Sequence, residues 1–268
     1  MNTRYPVPGT SLRIVKLGGA VASDPDALEA VWSRLGTEAG ASTVVVHGGG
    51  PQSTALARRL GHEPRIVAGR RVTSDLDLDI ALFTMRGAVN ARLVASANAA
   101  GLHAVGVSGA DGGLVKVVRR PPREIDGETV DFGHVGDVVS ADPALLHTLL
   151  AAGFTPVVAT VCADRGGALY NVNADTVAME IAVAMGASEL VLVAEAGGVY
   201  RDYPDHGSRI DTLTPEAIEA GVREGWIAGG MRPKLEVARE AIRRGIPAVR
   251  VAAPAGLAGG TRIAPDLP

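Results

Sequence analysis

Leu12-Arg13-Ile14-Val15-Lys16-Leu17-Gly18-Gly19 decides the fold: a short β-rich run ends in a double glycine. The same pattern recurs twice. Thr43-Val44-Val45-Val46-His47 runs into Gly48-Gly49-Gly50-Pro51, and residues 104–107 run into Ser108-Gly109. Further β-rich runs fall at 156–159, 190–193 and 248–252, each separated from the next by helical patterning. Between the first two, Leu28, Val31, Trp32 and Leu35 lie at i, i+3, i+4 and i+7, one apolar stripe able to cover a sheet. Such alternation indicates an α/β chain with a mainly parallel sheet. All three glycine turns then sit on the carboxyl edge of that sheet. Open α/β sheets bind ligands there, and glycine lets backbone N–H groups approach phosphate oxygens with no Cβ in the way. Pro51 suits the first turn of a helix whose dipole would point at the same anion. A phosphate cradle is one reading; tight βα turns of the kind any α/β protein needs are the other.

The 268 residues suffice for one large α/β unit or two modest lobes. Apolar residues make up 47% of the chain, yet no run approaches the roughly 20 needed to span a bilayer, so no membrane partner is expected. The start, residues 1–11, lacks the basic and long apolar regions of a signal peptide, and a cytoplasmic location is expected. A single cysteine, Cys162, excludes an intramolecular disulfide and a multi-cysteine metal site, and reads as a small buried hydrophobe. The net charge of −3 with scattered Lys and Arg gives no footprint for a nucleic acid, and 3% aromatic residues provide no base-stacking platform. The basic patch Arg119-Arg120-Pro121-Pro122-Arg123 reads as a solvated hairpin or loop.

Ser74 is placed to cap a long helix reaching about residue 100, with Asp75 and Asp77 in the first turn where the macrodipole favours negative charge. Its length makes it a candidate interface helix. Residues 112–139 break the α/β alternation: 114–118 and 135–138 read as short strands of an inserted hairpin layer around a polar, Pro-rich loop. A loop with Arg165-Gly166-Gly167 leads to Asn171, a strongly apolar helix is expected over 174–185, and a last short strand over 261–264. A lobe boundary is expected near Asn173. No GxxxxGK[ST] occurs, and no GxGxxG opens a helix after a strand, so neither a P-loop nor a dinucleotide fold is supported.

Five segments follow one another in order: Lys16-Leu17-Gly18-Gly19, His47-Gly48-Gly49-Gly50, Gly69-Arg70-Arg71-Val72-Thr73, Asn171-Val172-Asn173-Ala174-Asp175 and Gly229-Gly230-Met231-Arg232-Pro233-Lys234. Together they resemble the motifs of the N-acetylglutamate kinase branch of the amino acid kinase family. The resemblance runs from about residue 12 to 251 and implies a three-layer α/β/α sandwich in two lobes. Residues 1–173 would form the amino-acid-substrate lobe and 174–268 the nucleotide-binding lobe. It also implies ATP with Mg²⁺, and phosphorylation of the γ-carboxylate of N-acetyl-L-glutamate in arginine biosynthesis. By similarity Lys16 and Lys234 hold phosphate oxygens and Asp175 orients the two ammonium groups. Arg71, Asn171 and the backbone at Gly49 and Gly50 take the acceptor, with the Arg71 fork on its α-carboxylate. Gly18, Gly19, Glu195, Gly198, Tyr200, Trp226, Ile227 and Ala228 would border the nucleotide. No residue is expected to bind a metal directly.

A carboxylate acceptor is already ionised near neutral pH, so no general base is required, and His47 reads as a structural residue below its glycine turn. Asn171 and Asn173 have a second reading as turn residues capping the following helix, Trp226 as packing, and Arg71 as a surface arginine. The stretch Ala194-Glu195-Ala196 departs from the family, which usually has a hydroxyl and an aspartate there. Only about eleven residues precede the first strand, leaving no room for the N-terminal helix of arginine-inhibited hexameric relatives; an arginine-insensitive homodimer is expected. Two other functions remain open at this point. One is a kinase acting on aminoadipate or glutamate held by an acidic carrier protein, for which Arg119, Arg120 and Arg123 could form a docking surface. The other is an inactive nucleotide-binding regulatory module.

Overall fold

The computed structural model describes residues 11–37 and 41–265, and the expectations placed on residues 1–10 lie outside these. Eight strands form the central sheet in the order Thr212–Leu213, Thr261–Ile263, Val249–Ala252, Glu189–Val193, Ser11–Leu17, Ala41–His47, Thr155–Ala159, Ala104–Ser108. Every neighbouring pair is parallel except Val249–Ala252 with Thr261–Ile263. The expected mainly parallel sheet is therefore present, with Ser11–Leu17 near its middle.

Strand alternation explains the layers. Ile14, Val44, Val46, Val158, Leu190 and Leu192 point to one face and pack on Leu146, Ile181, Ile218 and Leu235 of the helices Ala144–Ala151, Ala174–Met185, Pro215–Glu224 and Met231–Arg243. Val15, Leu17, Val45, Val157 and Val191 point to the other and pack on Val31, Trp32, Leu93 and Ala97 of Pro25–Thr37 and Asn90–Ala99. A sheet covered on both faces must be apolar on both, which is why its strands read as unbroken apolar runs. The same parity sends Lys16 to the face of the Ala174–Met185 helix and His47 to the face of Asn90.

The inserted layer is a four-stranded sheet ordered Leu169–Asn171, Val161–Ala163, Val115–Arg119, Gly136–Ala141. The stretch read as a polar loop contains a further hairpin, Arg123–Ile125 with Glu128–Val130. It turns through Asp126 at φ 51 and Gly127 at φ 83, the positive-φ pair that a two-residue hairpin requires. The expected long helix begins as foreseen: Ser74 accepts from the Asp77 N–H in a reciprocal capping box. It is not one regular α-helix, however. Asp75–Ala81 passes into a π-helical segment, Leu82–Val89, before Asn90–Ala99. Among the described residues no helix is long and apolar enough to cross a membrane.

Candidate active site

Two of the three glycine turns converge on one cavity of about 360 Å³ at the carboxyl edge of the central strands. Gly19, Gly48, Gly49 and Gly50 line it on one side, and Asn171, Asn173 and Asp175 on another. The turns are close enough to exclude side chains. A Cβ on Gly19 would stand 2.6 Å from Pro51 Cδ, and one on Gly49 would stand 2.8 Å from Met85 Cγ. The Gly19 and Gly49 N–H groups have no acceptor among the described residues. The third turn does not join them. Gly109 donates its N–H to the Ala159 carbonyl at 3.0 Å, and Ser108 donates its own to Asp111 Oδ2 at 2.6 Å. Their donors are spent inside the fold at the sheet's edge strand, so the reading of three anion-facing turns reduces to two.

At one end of the cavity Asp175 stands between two lysines from different elements. Lys16, the penultimate residue of the strand Ser11–Leu17, places Nζ 2.9 Å from Asp175 Oδ1. Lys234, in the first turn of Met231–Arg243, places Nζ 3.2 Å from the same oxygen. The three side chains are 10%, 12% and 13% exposed for Lys16, Lys234 and Asp175, so these charges are held largely out of water. Burial alone would push the Asp175 carboxyl up, but the Lys16 and Lys234 ammoniums hold it below the usual carboxylate range. Burial lowers Lys234; Asp175 opposes this and Lys16 adds to it, and the net shift is downward. Asp175 is set in place because Asn173 caps its helix, accepting from the Thr176 N–H at 3.1 Å. The capping reading of Asn173 holds.

Arg71, Asn171, Thr54, Thr160, Ile66 and Met85 also line the cavity. Arg71 ends a short hairpin in which Ile66 pairs with it. Its side chain is only 10% exposed, so it is not a surface arginine, whereas the neighbouring Arg70 is exposed. Nη2 donates to Thr54 Oγ1, and to the Gly50 carbonyl at 3.4 Å, while Nη1 faces Asp77 Oδ1 at 3.4 Å. Asn171 donates from Nδ2 to Thr73 Oγ1 at 3.4 Å. Met85 reaches the cavity from the π-helical segment, a local widening that aims one side chain inward.

His47 takes no part in the cavity. Its Nδ1–H donates to the Gly48 carbonyl at 2.7 Å and its Nε2 accepts from Asn90 Nδ2 at 2.9 Å, the pattern of a neutral ring. Burial lowers its pKa from 6.5 to about 4, against a small opposing pull from the Gly48 carbonyl. Asn90 also donates to the Val157 carbonyl at 2.9 Å and locks turn, helix and sheet together. Cys162 is fully buried, and burial pushes its thiol up to about 12, as an inert core residue.

Of the residues read as bordering a nucleotide, Gly19 lines this cavity and the rest lie outside its described lining. Gly18 donates to the Val193 carbonyl at 3.2 Å, which seats the exposed Glu195 beside the first glycine turn. Gly198 is backed by Arg209 and Thr261, and Tyr200 donates its hydroxyl to the Ala196 carbonyl at 2.8 Å. Trp226 covers Gly221, where a Cβ would meet its ring at 2.5 Å, and stacks under Arg201 at 4.6 Å. Ile227 is buried and Ala228 exposed. Sequence reasoning missed Asp77, Thr54, Thr160, Met85 and Asn90; only Asp77 carried a signal, as an acid in a helix's first turn. A larger hollow of about 810 Å³ opens between Pro25–Thr37 and Asn90–Ala99 and is mostly apolar. It lies on the opposite face of the sheet from Lys16 and, among the described residues, has neither glycine turn nor lysine at its wall.

Residues 11–252 match the sequence model of the amino acid kinase family. The chain is 41% identical over 234 residues to an acetylglutamate kinase of Methanopyrus kandleri, covering 87% of this chain and 92% of that one. It is 43% identical over 241 residues to an acetylglutamate kinase of Anaeromyxobacter dehalogenans, covering 88% and 89%. Its backbone matches a Giardia lamblia carbamate kinase bound to AMP-PNP with a TM-score of 0.70, covering 96% of this chain and 99% of that one. At 14% identity, that likeness is one of fold.

Proposed function

The chain belongs to the amino acid kinase family, and from that premise we propose that it transfers the γ-phosphoryl group of ATP to the γ-carboxylate of N-acetyl-L-glutamate, as in arginine biosynthesis. The observation that carries the reading is the Lys16–Asp175–Lys234 bridge at one end of a cavity that Arg71 also lines. Phosphoryl transfer passes through a loose transition state with charge spread over equatorial oxygens, so catalysis is mostly positioning and cationic stabilisation. Two ammonium groups oriented by one carboxylate, with the Gly19 and Gly49 N–H groups beside them, supply that. The acceptor carboxyl, with a reference pKa of about 4.3, arrives ionised. No base has to be found, and among the described residues the cavity wall contains neither His nor Glu.

The Arg71 fork takes the α-carboxylate, aided by Asn171 and the backbone at Gly49 and Gly50. Residues 1–173 act as the acceptor lobe and 174–268 as the nucleotide lobe. The nucleotide lies along Gly18, Gly19, Glu195, Gly198, Tyr200, Trp226, Ile227 and Ala228. The described residues offer no group of three or more His, Cys, Asp or Glu able to hold a metal ion. Asp175, the one carboxylate at the cavity wall among the described residues, is taken by two ammoniums. The side chains therefore do not fit a resident Mg²⁺, which would travel with the nucleotide phosphates. A homodimer working in the cytoplasm completes the proposal.

The carrier-protein alternative finds no support in the basic patch. Arg119 pairs with Asp131 at 2.8 Å, and Arg120 and Arg123 with Asp137 at 2.6 and 3.4 Å. The assembled lysine bridge speaks against an inactive module. Kinetics of two variants test the reading. Arg71→Ala should raise the acceptor KM about 100-fold with kcat little changed, whereas Lys234→Ala should depress kcat by about 100-fold or more, since one reads the ground state and the other transition-state charge. The reverse pattern would exchange the two roles.

A further inference from the structure

Behind Arg71 lies a carboxylate that the reaction as described does not use. Asp77 is 4% exposed, and its two oxygens have separate tasks. Oδ2 serves the helix cap, accepting from the Ser74 N–H at 3.2 Å and the Ser74 hydroxyl at 2.6 Å. A cap needs nothing more. Oδ1 instead faces Arg71 Nη1 at 3.4 Å, with His62 Nε2 at 3.2 Å on the same oxygen. His62 comes from the end of the Gly50–Arg59 helix, held there by its N–H on the Ala57 carbonyl, and that same helix supplies Thr54 and starts at Gly50. Two helices thus grip the guanidinium from two edges. Asp77 holds Nη1, and Thr54 with the Gly50 carbonyl holds Nη2.

We propose that Asp77 is the positioning residue for Arg71, fixing the plane of its guanidinium so that the acceptor's α-carboxylate meets a preset fork. This rests on the reading that Arg71 takes that carboxylate. An arginine has four rotatable side-chain bonds to fix, and a bidentate contact is only as selective as the plane it is presented in. Holding the fork from behind removes that freedom before the acceptor arrives. Asp77 has two opposed effects on the acceptor. It orients the cation, and it adds a negative charge behind it. The guanidinium stands between the two carboxylates, so the orienting effect dominates. This fixes the sign of the expected result.

Asp77→Asn keeps an oxygen for the Ser74 N–H but loses the anion facing Arg71. The acceptor KM should rise about tenfold with kcat little changed, and the kcat/KM preference for N-acetyl-L-glutamate over N-acetyl-D-glutamate should fall. Ser74→Ala removes the cap partner and should lower the unfolding temperature without moving KM. In an Arg71→Ala background, Asp77→Asn should have no further effect on KM, because it acts through a group that is gone. An acceptor KM that stays level or drops in Asp77→Asn, or a Ser74→Ala variant that raises KM equally, overturns the assignment. If Arg71→Ala itself leaves KM unchanged, the acceptor site is misplaced, and that failure is distinguishable from the failure of Asp77.

Discussion

Replacing Asp175 with Asn removes one charge from the centre of the site and leaves both lysines. Lys16 and Lys234 lie 2.9 and 3.2 Å from the same carboxylate oxygen. At an effective dielectric of about 20, each attraction is worth about 5 kcal/mol before desolvation. Burying the carboxylate consumes most of that, and removing one partner of a buried pair costs about 3–5 kcal/mol net. Asn keeps a carbonyl acceptor, so the lower figure, about 3 kcal/mol, applies, which is a fall of about 6–12 °C in unfolding temperature for a chain of this size. The sign with pH follows. The folded Asp175 pKa is depressed, so its contribution is present above the unfolded carboxylate pKa and is lost as pH falls through the folded value; at pH 7 the variant forfeits all of it. Catalysis suffers separately. Two ammoniums that repel without an anion between them shift from their phosphate positions, and a displacement of about 1 Å costs on the order of 100-fold in kcat. Lys234, already lowered by burial, also loses the Asp175 contribution that raises it, so the alkaline fall of kcat should move to lower pH. The assay is ATP-dependent acyl phosphate formation against pH, with thermal unfolding on the same preparations. An unfolding temperature within about 1 °C of wild type, together with kcat within about twofold, would show the bridge to be a passive surface cluster.

Two further outcomes follow from the His47–Asn90 junction. His47 is held neutral with a folded pKa of about 4 against an ordinary 6.5, so the unfolded chain binds the extra proton between those values and stability drops as pH falls through that window. The loss amounts to at most about 3 kcal/mol. His47→Gln, though less stable at neutral pH, should show a flatter dependence in denaturant titrations between pH 6.5 and 4, and an unchanged slope would remove His47 as the cause. Gly106→Ala would bring a Cβ to 2.0 Å from Asn90 Oδ1, displacing an amide that holds both His47 and the Val157 carbonyl. The expected destabilisation is about 3 kcal/mol by denaturant midpoint, and a change under about 0.5 kcal/mol would mean the amide moves freely.

The sheet was legible because both its faces are buried, leaving apolar runs such as Val44-Val45-Val46 ended by glycines. Lys16 was legible as a charge interrupting such a run one residue before its turn. The Ser74 cap followed from local chemistry alone. Other features lay beyond local pattern. The π-helical segment 82–89 alters winding without altering composition, so Met85's approach to Gly49 could not be read. The Arg123–Val130 hairpin did carry a signal, the Asp126-Gly127 pair, hidden among prolines and charges. Ser108-Gly109 read as an anion-facing turn because a sequence does not show that Ala159, some fifty residues on, takes the Gly109 N–H. Asp77 meets Arg71 and His62 only through the packing of three separate elements. The paired state of Arg119, Arg120 and Arg123 is likewise tertiary, set by Asp131 and Asp137 across the hairpin layer.

If the cavity phosphorylates the side-chain carboxylate of an acylated amino acid, hydroxylamine traps the acyl phosphate product directly. With ATP and Mg²⁺, the protein should yield a hydroxamate from N-acetyl-L-glutamate and none from free L-glutamate. Hydroxamate from free glutamate alone, or from neither acceptor, would contradict that reading of the cavity.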